Sequence, residues 1–286
     1  MKNSKKVKEY NKKSIYLLKK IINVNFDNIK HMKLISKKIA HRGITPKLKT
    51  ELEKIVPKNT NISKKFENTL ISFLISLNSG FGIETDCQLT KDGHIILFHD
   101  FKIDKTEINL LTLKEIRDNT KNTLNQNEFL KITHKFPLLK QFNQNSILRP
   151  ELKDLLLIYR TLNSSSTLNL EIKVQDHQVD LGQDILRKAK QECKGTENIL
   201  FSSFNHDIEG IQGYLADTEK KLISAISKTQ KESFVIIDYK LKDHKLLNTK
   251  SVRLISYNIP EIKDDNNIDI KLTAEITDFA EIQLKL

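Results

Sequence analysis

Tryptophan is absent from the 286-residue sequence, and cysteine occurs only at Cys87 and Cys193. The two lie far apart and match no CxxC or metal-type spacing, so they read as reduced thiols in a reducing compartment. No stretch approaches the ~18 uninterrupted apolar residues of a transmembrane helix, so none is expected. A secretory leader is missing as well, because "SIYLL" and "IINV" are split by Lys19-Lys20 and no apolar segment follows. These absences lead us to expect a cytoplasmic protein.

Net positive charge is lacking over most of the chain, despite a formal net charge of +12. Residues 1–49 hold 15 Lys/Arg against Glu9 and Asp27, which leaves residues 50–286 at a net −1. A basic stripe across a folded surface is therefore not expected, and no nucleic-acid partner with it. Residues 1–36 read as a basic, helical N-terminal extension. Over residues 5–38 Lys clusters alternate with Ile, Leu, Val and Phe at loosely helical spacing. Such a segment suits either a helix packed on the main domain or an interfacial helix at the inner face of an anionic membrane.

Residues 37–286 alternate apolar β-type runs with helical patterns. "FGIETDCQL" and "HIILFHD" read as strands joined at Asp92-Gly93, and "TLNLEIKV", "NILFSSF", "KLISAIS", "SFVIIDY", "VRLISYN" and "AEITDF" as later strands. "ENTLISFLISLNSG", "LTLKEIRDN", "RPELKDLLLIYRTLN", "DLGQDILRKAKQE" and "DIEGIQGYLADTE" read as helices. Residues 44–66 and 119–135 are polar stretches, the first a loop or short helix. This alternation predicts an α/β fold, and its length suits a (β/α)8 TIM barrel. An open doubly wound sheet is the alternative.

Polar residues recur where these strands end. His41-Arg42 follows "KKIA", Glu84 and Asp86 follow "FGI", His99-Asp100 follows "HIILF", and Glu171 and Lys173 follow "LNL". Residues two apart on a strand share a face, so Glu84 joins Asp86 and Glu171 joins Lys173. In a barrel these ends converge on one mouth. Three carboxylates suit a hard divalent cation such as Mg²⁺ or Ca²⁺. Arg and Lys suit a phosphate, and two histidines suit proton transfer near neutral pH. Together they describe phosphodiester cleavage. Glu171 and Lys173 also read as a plain structural ion pair, and His94, His134, His206 and His244 as solvated or structural.

"AHRG" (40–43), "ENT" (67–69), "GIETDCQLTKDGHIILFHD" (82–100) and "LEIK" (170–173) resemble the glycerophosphodiester phosphodiesterases. Weaker matches follow in "FPLL", "SSF", "ISYN" and "ITDF". The resemblance implies a TIM-barrel catalytic domain and metal-dependent hydrolysis of glycerophosphodiesters to sn-glycerol 3-phosphate and an alcohol. It places Glu84, Asp86 and Glu171 on metal-ligand positions, His41 and His99 on an acid–base pair, and Arg42 and Lys173 on phosphate-binding positions. Glu67, Asn68 and Asp100 take supporting roles. It also implies attack by the substrate's own glycerol hydroxyl, giving a cyclic phosphate that water opens. Phospholipase D-like cleavage of lysophospholipids or sphingolipids on the same fold is the alternative, and a non-catalytic phosphoester- or membrane-binding member a further one.

The sequence departs from the family pattern in three places. The link from "HRG" to "ENT" is 23 residues long and carries Phe66 where Pro is usual. Such an insertion is expected over the mouth. Ile255-Ser256 stands where Trp-Thr is usual, and "FKIDKTEINLLTLKEI" has no glycine where a Gly-rich segment is usual.

Overall fold

Strand β2, Gly82–Leu89, is the spine of the sheet. It pairs in parallel with β1 (Ile39–Ala40) on one side and with β6 (Leu168–Ile172) on the other. The structure, a computed structural model, describes residue 36 and residues 38–118, 123–230, 233–241, 243–248 and 253–257. Beyond β6 the sheet continues through β7 (Ile199–Ser203), β8 (Gly213–Ala216), β9 (Phe234–Asp238) and β10 (Arg253–Tyr257), every neighbour parallel. Parallel strands need crossovers. Four of the six run through the helices Leu70–Asn78, Leu152–Thr161, Val179–Glu192 and Glu219–Lys228. The fold is α/β, a parallel sheet curled as in a TIM barrel.

The crossover Leu70–Asn78 shows how the sequence sets an element. Thr69 caps it by accepting the Ser72 backbone N–H while Ser72 accepts that of Thr69, a box that contributes about 1 kcal/mol. Leu70, Ile71, Phe73, Leu74 and Ile75 then all lie buried in the core.

"HIILF" contains β3 (Ile95–Leu97), which runs antiparallel to β2 as the hairpin arm expected from the Asp92-Gly93 turn, with Cys87 opposite Leu97. Other elements depart from the expected pattern. "KLISAIS" lies in the helix Glu219–Lys228, because Leu222, Ala225 and Ile226 recur at helical spacing and are buried. "GYLA", expected in a helix, is β8; a Cβ on Gly213 would lie 2.7 Å from Ser202 Cβ, so only glycine lets β8 approach β7 this closely. Residues 126–135, expected as a polar stretch, form the helix Gln126–Lys135 under an Asn125–Glu128 capping box. The segment without glycine forms a small hairpin, β4 (Lys102–Ile103) with β5 (Thr106–Glu107), and Asp104 takes the left-handed turn position at φ 53°. The expected N-terminal helix and the "AEITDF" strand, with the whole "ITDF" match, lie outside the described residues.

The 44–66 insertion folds as the helices Pro46–Leu52 and Ile62–Phe66. Leu48, Leu52, Val56 and Phe66 are buried in the core. The insertion is thus anchored to the helical layer, and none of its described residues lines the cavity at the strand ends. Among the described residues no helix is long and apolar enough to cross a membrane.

Candidate active site

The carboxyl ends of the parallel strands surround a cavity of about 280 Å³. His41, Arg42, Glu84, Asp86, His99, Glu171 and Lys173 all line it. Register explains much of this: Asp86 lies directly opposite Glu171, and Glu84 opposite Asn169. One ligand oxygen from each of Glu84, Asp86 and Glu171 lies within 4.8 Å of the other two.

Arg42 comes to the site through an unusual backbone. It has φ 52°, in the left-handed region, followed by Gly43 at φ 73°. A Cβ on Gly43 would lie 2.6 Å from Ser72 Oγ and 2.7 Å from Phe73 Cδ1. The tight turn aims the Arg42 backbone N–H at Glu84 Oε2, 2.9 Å away. Its guanidinium donates to Glu67 Oε2 at 2.9 Å and stands 3.7 Å from Asp86 Oδ2. Asn68, also left-handed at φ 54°, donates to Asp86 Oδ2 at 2.9 Å and accepts from Thr85 Oγ1 at 2.7 Å. The "ENT" segment therefore orients the arginine and one carboxylate. Lys173 Nζ lies 3.1 Å from Asp86 Oδ1 and 3.0 Å from Glu171 Oε1.

The histidines differ in setting. His41 Nε2 lies 3.8 Å from Glu84 Oε2. Burial, with Arg42 beside it, pushes His41 down to about 4, so the ring is neutral at neutral pH. His99 Nδ1 pairs with Asp100 Oδ1 at 2.8 Å, and its loop is clamped by Gln88 Nε2, which donates to the carbonyls of Phe98 and Asp100.

Charge in this cluster is unbalanced. Among the described residues Glu84, Asp86 and Glu171 face Arg42 and Lys173 as fixed cations, and Glu67 faces Arg42 with Arg149 near it. Burial, then the Asp86 and Glu171 carboxylates, push Glu84 well above the usual carboxylate range. Burial opposes ionisation of Asp86, yet Lys173, His99 and Arg42 hold its carboxyl below that range. A buried, oxygen-only set short of positive charge fits a hard divalent cation.

Sequence reasoning missed part of the wall. Asn169, Asp217, Asp238 and Lys240 also line the cavity. Asp238 ends the strand in "SFVIID", and the strand-end pattern that marks Glu84 and Glu171 also marks it. Asp217 was hidden by reading "GYLAD" as helix. His94 and His206, expected to be solvated or structural, take structural partners: His94 Nδ1 lies 2.7 Å from Glu151 Oε2, and His206 Nε2 lies 2.8 Å from the Leu215 carbonyl.

Comparison with known proteins agrees with this geometry. The profile of the glycerophosphoryl diester phosphodiesterase family matches residues 41–211, more than half of the chain. A glycerophosphodiester phosphodiesterase of Bacillus altitudinis is 30% identical over 141 residues, 49% of this chain and 53% of that protein. One from Caldanaerobacter subterraneus is 30% identical over 147 residues, again 49% and 53%. The chain thus spans about half the length of the curated relatives it matches. Among solved structures, an Oleispira antarctica phosphodiesterase in complex with the product sn-glycerol 3-phosphate superposes with a TM-score of 0.52 at 17% identity, over 78% of this chain and 84% of that one. A Silicibacter pomeroyi structure gives a TM-score of 0.53 at 16% identity, over 79% and 84%. The chain belongs to the glycerophosphoryl diester phosphodiesterase family.

Proposed function

We propose that the protein hydrolyses glycerophosphodiesters to sn-glycerol 3-phosphate and an alcohol at the cavity above the parallel strands. The observation that carries the reading is the meeting of Glu84, Asp86 and Glu171 with Arg42, Lys173 and two histidines in one cavity. The product named in the Oleispira antarctica complex supports the substrate class.

In this reading Glu84, Asp86 and Glu171 hold a divalent cation, Mg²⁺ or Ca²⁺, which supplies Lewis-acid stabilisation of charge on the phosphoryl oxygens. Arg42, steadied by Glu67, and Lys173 bind the phosphate. His41, neutral in its buried position, accepts the proton of the attacking glycerol hydroxyl. His99, held at Nδ1 by Asp100, presents Nε2 to the leaving alcohol oxygen and gives it a proton as the cyclic phosphate forms. Water then opens the ring, giving a proton to His99 while His41 returns its proton to the glycerol oxygen. Asn68 fixes the rotamer of Asp86. The test is a coupled assay for sn-glycerol 3-phosphate on a panel of glycerophosphodiesters. Release from at least one member is expected, and release from none contradicts the reading.

The proposal extends to the whole chain. Residues 37–286 form the catalytic domain of a cytoplasmic protein, and the basic residues 5–38 hold it against anionic lipid. Support comes from the concentration of positive charge in residues 1–49, each Lys near such a surface contributing about 1 kcal/mol. Anionic vesicles should sediment the full chain at low salt but not a form lacking residues 1–34; equal sedimentation contradicts the membrane role.

A further inference from the structure

The wall of the cavity facing away from the carboxylate cluster is made by β8, β9 and β10, and their register sorts it into two rows. Leu215 lies opposite Ile236, and Ile236 opposite Ile255. All three are buried and line the cavity, forming an apolar floor. Two residues further along the strands the character changes. Asp217 follows the last residue of β8 and Asp238 ends β9. Because Ala216 pairs with Ile237, the two acids occupy neighbouring positions on the rim above that floor.

Adjacent carboxylates repel each other, and nothing in the core requires them there. Asp238 Oδ2 lies 3.5 Å from Lys240 Nζ, and its Oδ1 accepts the Lys240 backbone N–H. Lys240 is exposed and also lines the cavity, so it offsets the charge of Asp238 on this rim. The Asp217 carboxylate makes no hydrogen bond or ion pair among the described residues. It is the acidic group on this side of the cavity left for a ligand.

We propose that this half of the cavity receives the alcohol portion of the diester and selects an alcohol that carries a cationic amine, with Asp217 as the specificity-determining residue and Asp238 reinforcing it. The inference rests on the hydrolytic reading and deepens it. With the phosphate on Arg42 and Lys173, the alcohol's methylene groups lie over Leu215, Ile236 and Ile255, and the ammonium meets the acidic rim. Ile255 offers no π face to a cation, so recognition falls to carboxylates, which accept hydrogen bonds from a primary ammonium. The whole cavity, about 280 Å³, falls just below the ~300–1,000 Å³ of sites for drug-sized ligands and suits a small diester.

The experiment compares kcat/KM for two diesters of sn-glycerol 3-phosphate, one with 2-aminoethanol and one with glycerol, in the full chain. Wild-type protein should favour the aminoethanol ester by about fivefold, the scale of a partly exposed charge pair. Asp217→Asn should bring that ratio close to one, mainly through KM for the aminoethanol ester. Asp217→Ser serves as the second variant if the first does not fold. A wild-type ratio of one or less, or a ratio unmoved by both substitutions, overturns the subsite while leaving the hydrolytic reading in place. Wild-type protein that hydrolyses neither ester overturns the hydrolytic reading, and the subsite falls with it.

Discussion

At the scale of single residues, site chemistry and stability pull in opposite directions. Glu84 accepts one backbone N–H yet faces Asp86 and Glu171 across a buried cluster. Removing its charge should relieve repulsion in the cation-free protein and remove a ligand from the loaded one. Glu84→Gln is therefore expected to melt a few degrees (~2–4 °C) above wild type in the presence of chelator. Added Mg²⁺ or Ca²⁺ should raise the melting temperature of wild type and leave the variant unmoved. Equal responses in differential scanning fluorimetry would remove Glu84 from the cation site. His99 is held in place by Asp100 and the Gln88 clamp rather than by burial, so His99→Ala should retain the fold while kcat falls by at least ~10²-fold. Near-normal kcat in a folded variant would take His99 out of the reaction. These residues were legible because charge at the end of an apolar strand is costly without a purpose. The left-handed backbone at Arg42 was not, since arginine seldom adopts positive φ and the turn depends on Gly43 packing against Ser72 and Phe73.

At the scale of elements, legibility followed whichever period dominated locally. Strand β2 was plain because apolar residues on one face alternate with Glu84 and Asp86 on the other. "KLISAIS" misled because β-branched and apolar residues mimic a strand, while its cap, Thr218 accepting the Lys221 N–H, lies just outside the run. The same region carries a buried histidine between elements. His206 Nδ1 meets Ser224 Oγ at 2.8 Å, and Nε2 meets the Leu215 carbonyl at 2.8 Å, tying the segment after β7 to β8 and the following helix. Burial holds His206 below its ordinary value despite the Leu215 carbonyl. The unfolded chain therefore takes up its proton first as pH falls below about 6.5, and the folded state loses stability over that interval. Urea midpoints should decline from pH 7.5 to 5.5, and less so in His206→Gln. Parallel declines would exclude this group as the source.

At the scale of the whole molecule, one parallel sheet carries every proposed catalytic group on its strand ends or the loops just beyond them. The curl of that sheet makes those ends meet, and Ile39 and Ile255, 216 residues apart in sequence, line one cavity for that reason. The 44–66 insertion shows the limit of reading such an arrangement from sequence. Its length is visible, but its burial through Leu48, Leu52, Val56 and Phe66 depends on the helical layer it packs against. The central claim is that the three buried carboxylates make phosphodiester hydrolysis depend on a divalent cation. Its most direct measurement is the rate of sn-glycerol 3-phosphate release by chelator-dialysed protein as Mg²⁺ or Ca²⁺ is added back. Release should be absent after dialysis and return with the added cation, and it should not return in Glu171→Gln. Undiminished release from the dialysed protein would contradict the account.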